Sequence, residues 1–143
     1  MSVSRASAVW QGGLKDGKGT ITAGSGAFSA MPYDFRKRFE GEPGTNPEEL
    51  IAAAHASCFA MALSGEINKA GQSAEQLDSR AEVTLERTDK GPTVTKIKLH
   101  VEGKVPGMSA DDFQKAAETA KANCPISRLL GAAAEISLDA KLL

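Results

Sequence analysis

The chain has 143 residues, a length suited to one domain, and 17 basic against 18 acidic residues leave a formal net charge of −1. That balance offers neither a basic surface excess for nucleic acid nor an acidic tail. Hydrophobic residues make up 41% and aromatics only 5%, so the core must be largely aliphatic, while two cysteines are too few for a disulfide scaffold and show no zinc spacing with the two histidines.

No run of about 18 purely apolar residues is visible, so no membrane-spanning helix is expected. Residues 1–10 hold one arginine and no apolar h-region, unlike a signal peptide. The expected location is therefore the cytoplasm, where paired thiols are more often redox-active than structural.

In chain order, residues 7–11 suggest a short strand, Gly12-Gly13 and Asp16-Gly17 turns, and residues 19–22 a second extended segment. A Gly/Ser-rich stretch covers 23–30. Residues 32–44 combine Pro32 and Pro43 with a charge cluster, Arg36-Lys37-Arg38 and Glu40, and read as a loop that could carry function. The clearest element starts at Asn46, a good N-cap, with Pro47 at the first helical position and Glu49 placed for a capping box. Glu48 and Glu49 suit the positive end of the helix dipole. From Leu50 to Leu63 nearly every residue is apolar or small, so burial on most sides is expected. Gly71 is a natural C′ residue.

Ala81, Val83 and Leu85 then alternate with polar neighbours, Asp89-Lys90-Gly91 turns, and Ile97, Leu99 and Val101 alternate on the return. This is a hairpin with one buried face. Ser109 with Asp112 predicts the start of a helix running to about Asn123. Cys124-Pro125 restarts a short helix, and Ile136, Leu138 and Ala140 alternate in a final strand. The order predicts a single α+β domain, residues 1–143, with antiparallel sheet.

Few residues can do chemistry. Cys58 lies mid-helix, where a cysteine is either an inert core residue or a nucleophile. Cys124 precedes Pro125 at a helix start, which favours thiolate. His55 lies three residues before Cys58 and shares its helix face. A Cys–His nucleophile pair is one reading; a packing histidine with one satisfied nitrogen is the other. Arg36, Lys37 and Arg38 read either as a solvated loop or as a functional cluster, and Glu48 and Glu49 as capping charges. His100, between Leu99 and Val101 on the opposite strand face, has no partner in sequence and no assigned role.

Four segments carry a family likeness: Arg38-Phe39-Glu40-Gly41; Gly44-Thr45-Asn46-Pro47-Glu48-Glu49-Leu50; Ala54-His55-Ala56-Ser57-Cys58-Phe59; and Asn123-Cys124-Pro125-Ile126-Ser127. Together they resemble the osmotically inducible protein C (OsmC) family, and its OsmC branch rather than the organic hydroperoxide resistance (Ohr) branch, because the arginine precedes the Thr-Asn-Pro-Glu motif and His55 is present. The resemblance implies an OsmC-like fold, antiparallel sheets around long central helices in an intertwined homodimer. It implies a thiol peroxidase that reduces organic hydroperoxides, and hydrogen peroxide more weakly, in oxidative or osmotic stress defence. Cys58 would be the peroxidatic nucleophile and Cys124 the resolving cysteine, passing through a Cys58 sulfenic acid and a Cys58–Cys124 disulfide. Arg38 would stabilise the thiolate, lowering the Cys58 pKa, and Glu48 would orient the guanidinium. An external dithiol, such as a lipoyl group, would reset the pair, with no cofactor, metal, nucleic acid or membrane involved. A stress-induced small-molecule-binding protein and a Cys–His acyl hydrolase using His55 remain the alternatives. Glu48 and Cys58 are ten residues apart on one expected helix, roughly 15 Å along its axis. An Arg38 paired with Glu48 of its own chain would stand short of Cys58, so shared sites in a two-fold dimer are expected.

Overall fold

The computed structural model describes residues 2–143, Met1 lying outside them. They form two compact units, divided between Leu50 and Ile51.

The first unit holds β1 (Ala6–Gln11), β2 (Lys18–Ala23), β3 (Met31–Tyr33) and α1 (Phe35–Phe39). The strands form an antiparallel sheet in the order β1-β2-β3. Gly19 of the central strand faces Trp10 on one side and Tyr33 on the other. A Cβ there would lie 2.4 Å from the Tyr33 ring and 2.8 Å from the Trp10 ring. Glycine therefore lets the two aromatics from the flanking strands meet above it, with ring centroids 5.4 Å apart.

Residues 32–44 are not a loop throughout, which corrects the sequence expectation. β3 takes 31–33 and α1 takes 35–39. Asp34 caps α1 by accepting from the Lys37 N–H at 3.0 Å, and its carboxylate also pairs with the Lys37 ammonium. Phe35 and Phe39, four apart, stack at 4.8 Å between centroids. These short-range contacts hold a helix of five residues that composition alone hides.

α2 (Pro47–Lys69) begins in the first unit and continues into the second. The Asn46 side chain caps it, accepting from the Glu49 N–H at 2.8 Å. At the other end Gly71, at φ +77°, donates to Asn68 O at 3.0 Å, and Gln72 donates to Ile67 O at 3.2 Å. This is the Schellman closure that a C′ glycine permits. Burial along α2 follows one row, His55, Phe59, Leu63 and Ile67. Ala53, Ser57, Met61 and Gly65 are exposed, Met61 by 77%. The expectation of burial on most sides is thus corrected for the single chain, in which one row of α2 is buried. By length and composition α2 could also cross a membrane, contrary to the sequence reading, but its buried row places it as the core helix of its unit.

The second unit adds β4 (Gln76–Thr88), β5 (Gly91–Lys104), α3 (Ala110–Asn123), α4 (Pro125–Leu130) and β6 (Glu135–Leu142). Its sheet has the order β4-β5-β6. The β4–β5 hairpin is antiparallel, as the alternation predicts. β6, however, runs parallel to β5, so the expectation of purely antiparallel sheet is corrected. A parallel neighbour needs a long crossover, and α3 with α4 supplies it. Ser109 starts α3, accepting from the Asp112 N–H at 3.1 Å. The core is Phe59, Leu63 and Ile67 of α2 against Leu99 and Val101 of β5 and Phe113, Ala117 and Ala120 of α3.

Gly103 on β5 lies under the Phe113 ring, 2.6 Å from where a Cβ would stand, with Leu77 at 3.0 Å. Gly103→Ala is therefore expected to destabilise the fold by about 1–3 kcal/mol, the usual range for overpacking a core. Chemical denaturation of both proteins checks this, a lower midpoint at unchanged slope being the expected result.

Candidate active site

In the second unit, α2 carries Cys58 and the N-cap of α4 carries Cys124. Pro125 at the first helical position forces the chain to restart there, which fixes the Cys124 backbone at the junction of α3 and α4. The fold brings together two thiols 66 residues apart in sequence, with sulfurs 3.2 Å from each other. Both are free thiols; Cys124 is fully buried and Cys58 partly exposed.

The electrostatics of the pair are uneven. Burial pushes the Cys58 thiol up, and its contact with Cys124 adds to this against the Ile126 N–H. Burial also works upward on Cys124, but the Ser127 N–H, the contact with Cys58, the Ser127 hydroxyl and the Ile126 N–H outweigh it and bring the thiol down. Within one chain Cys124 is the more acidic thiol. Within the single chain no cation acts on Cys58, and burial keeps its thiol raised.

Behind the pair, His55 is fully buried and its Nε2 lies 2.8 Å from Ser127 Oγ. Desolvation holds the imidazole below its ordinary pKa, so it is neutral near pH 7. This is the packing histidine with one satisfied nitrogen. Ser127, only 6% exposed, was not assigned a role from sequence. Its position three residues after Cys124, on the first turn of a Pro-started helix, is the signal that marks it.

The first unit holds the other pair. Arg38 of α1 grips Glu48 with Nε at 3.2 Å from both carboxylate oxygens and Nη2 at 2.7 Å from Oε1. Glu48 is 9% exposed, and Arg38 stacks 5.1 Å from the centre of the Phe39 ring. The neighbouring cations of the cluster are paired elsewhere, Arg36 with Glu42 and Lys37 with Asp34. Arg38 also borders a cavity of about 300 Å³ walled by Trp10, Leu14, Tyr33, Phe35 and Phe39. Glu49 is exposed. His100 lies between two carboxylates, 3.4 Å from Glu82 and 3.5 Å from Asp139. Among the described residues no three His, Cys, Asp or Glu side chains gather as metal ligands.

Comparison with known proteins gives this geometry a context. Residues 39–139 match the family model described as OsmC-like protein. The chain is 50% identical over 133 residues to the peroxiredoxin OsmC of Escherichia coli K12, covering 93% of this chain and 92% of that protein. It is 30% identical over 102 residues, 70% of each chain, to the organic hydroperoxide resistance protein-like 2 of Staphylococcus epidermidis RP62A. The crystal structure of the organic hydroperoxide resistance protein OhrB of Bacillus subtilis superposes with a TM-score of 0.71 at 24% identity, over 96% of this chain and 98% of that one, so the α+β fold is shared. With the matched segment spanning most of its length and half its residues shared with a peroxiredoxin, the chain belongs to the OsmC-like protein family.

Proposed function

We propose that this protein is a two-cysteine hydroperoxide reductase with Cys58 as the attacking thiol and Cys124 as the resolving one. Its class, a cysteine-based peroxidase, follows from the relative named peroxiredoxin. The observation that carries the finer reading is the 3.2 Å contact between the two free thiols. The Cys58 thiolate attacks one peroxide oxygen of R–O–O–H, the O–O bond breaks, and the alkoxide leaves as an alcohol after taking a proton. Cys58 becomes a sulfenic acid. Cys124 then displaces its hydroxyl, forming a disulfide and water. An external dithiol of the lipoyl type restores both thiols by exchange.

Attack needs Cys58 as thiolate, and burial opposes that. Arg38, fixed by Glu48 through a bidentate grip, is the cation suited to reverse it. On continuous α2, Glu48 and Cys58 stand roughly 15 Å apart along the axis, so the arginine is best supplied by a second copy. A homodimer packed on the exposed Ala53–Ser57–Met61 face of α2 places the start of one helix beside the middle of the other. The apolar cavity beside Arg38 suits the tail of an organic hydroperoxide better than hydrogen peroxide, in stress defence within a reducing compartment such as the cytoplasm. The acyl hydrolase reading is weaker, since His55 Nε2 is engaged by Ser127.

One equivalent of cumene hydroperoxide should convert the reduced protein to a form with an intramolecular Cys58–Cys124 disulfide. Peptide mapping without reductant reads this directly. Accumulation of Cys58 sulfinic acid with Cys124 still free would show that Cys124 does not resolve.

A further inference from the structure

The two thiols differ in what can reach them. Cys124 is 0% exposed and sits in the core with Phe113, Ala117 and Ala120 of α3. Its own chain covers it, so association with a second copy leaves it covered. Cys58 is partly exposed and packs against the edge of that core. Its neighbours four positions away along α2, Ala54 and Ala62, carry only methyl groups, too short to screen the sulfur. A hydroperoxide must enter through this opening in any working assembly. The sulfurs are 3.2 Å apart, and closing them to a disulfide bond of about 2.0 Å takes a movement of about 1 Å. That is too little to lift Cys124 out of the core.

We propose that the external dithiol attacks the disulfide at the Cys58 sulfur, entering by the same opening as the peroxide, and that Cys124 is the thiol released first. The proposal rests on the two-cysteine reading above. Displacement at sulfur runs in line, with the incoming and leaving groups on opposite sides of the atom attacked. When Cys124 displaces hydroxide from the Cys58 sulfenic acid, the hydroxide therefore departs on the side away from Cys124, which is the open side. The reductant's thiolate retraces that path. Its sulfur bonds to the Cys58 sulfur, the Cys58–Cys124 bond breaks, and the electron pair stays on Cys124, which takes up a proton. The second thiol of the reductant, as thiolate, then attacks the reductant sulfur of this mixed disulfide. A cyclic disulfide leaves, and Cys58 is released as thiolate, the form the next peroxide requires. Two electrons have passed from the dithiol to the cysteine pair. Leaving-group chemistry runs the same way, since the more acidic thiol departs faster and Cys124 is the thiol brought down.

Trapping the first adduct reads which sulfur is attacked. Wild-type protein, oxidised with one equivalent of cumene hydroperoxide, is mixed with excess 2-mercaptoethanol, a monothiol that cannot cyclise away. Samples are quenched in acid at intervals, free thiols are blocked with N-ethylmaleimide, and peptide mapping locates both labels. At the earliest times the mixed disulfide should lie on Cys58 and the maleimide on Cys124, in about tenfold or greater excess over the reverse pattern, as access decides the site of exchange. A parallel run uses excess sulfite, which leaves an S-sulfonate on the sulfur it attacks. It keeps the pattern readable where the mercaptoethanol adduct closes back too fast to trap, and the sulfonate should again lie on Cys58. Adducts shared equally between the two cysteines, or in excess on Cys124, would overturn the proposal. So would consumption of the disulfide with no adduct on Cys58 from either nucleophile. Wild-type protein that forms no Cys58–Cys124 disulfide with peroxide in the first place would instead overturn the two-cysteine reading.

Discussion

Cys58→Ser is expected to reduce the consumption of cumene hydroperoxide in the presence of a dithiol to the uncatalysed background. A hydroxyl is far less acidic than a thiol and cannot be oxidised to a sulfenic acid, so both the attack and the redox storage are lost. Removal of an enzymatic nucleophile commonly costs about 10³-fold or more. Cys124→Ser should behave differently. It still reduces close to one equivalent of peroxide per Cys58, then stalls with dithiols and drifts toward Cys58 sulfinic acid. Single-turnover and steady-state peroxide assays, run side by side, distinguish the two. Equal consumption by Cys58→Ser and wild type would mean that the acidic thiol, Cys124, does the attacking. The single-chain electrostatics make that comparison pointed, because Cys124 is the thiol brought down and Cys58 the one pushed up.

The parts of this molecule that were legible in its sequence are those decided by neighbours along the chain. Asn46, Pro47 and Gly71 mark both ends of α2 through contacts within a few residues. The β4–β5 hairpin follows from alternation and a turn, and Ser109 with Asp112 fixes the start of α3. What stayed hidden depends on distant partners. The parallel pairing of β6 with β5 joins Ile97 to Ile136 across an intervening helical crossover, and an alternating strand pattern says nothing of direction. Helix α1 is too short for a periodic signal and is held by an Asp34 cap and a Phe35–Phe39 stack inside a charged stretch. Cys58, Cys124 and their pairing could be named from the family likeness, but nothing in a separation of 66 positions shows by itself that the fold brings the two sulfurs together. The Ser127–His55 bond joins residues 72 apart and was likewise invisible. So was the order of the thiol acidities, which is set by burial and by which N–H groups face each sulfur.

That order leads to the most demanding expectation, which concerns where the cation comes from. Cys58 needs a positive neighbour to become a thiolate, and within its own chain it has only burial, Ile126 and Cys124 acting on it. Arg38 is held by Glu48 in the first turn of α2, and Cys58 lies ten positions further along that helix. If two copies pack with their α2 helices antiparallel, each site takes Cys58 and Cys124 from one protomer and Arg38 and Glu48 from the other. Arg38→Ala alone should then raise the midpoint of Cys58 alkylation by iodoacetamide and slow peroxide reduction, as the thiolate loses its cation. Mixing the two inactive variants tests the sharing. Cys58→Ser and Arg38→Ala subunits, unfolded and refolded together in equal amounts, form about half heterodimers if association is random. Each heterodimer regains one intact site of two, so the mixture should show about a quarter of wild-type activity, by the reciprocal geometry of a two-fold dimer. Native mass spectrometry establishes that heterodimers have formed. If they form and the mixture stays as inactive as its parents, Arg38 serves the Cys58 of its own chain, and α2 must bend or the α1 segment must move to bring it there.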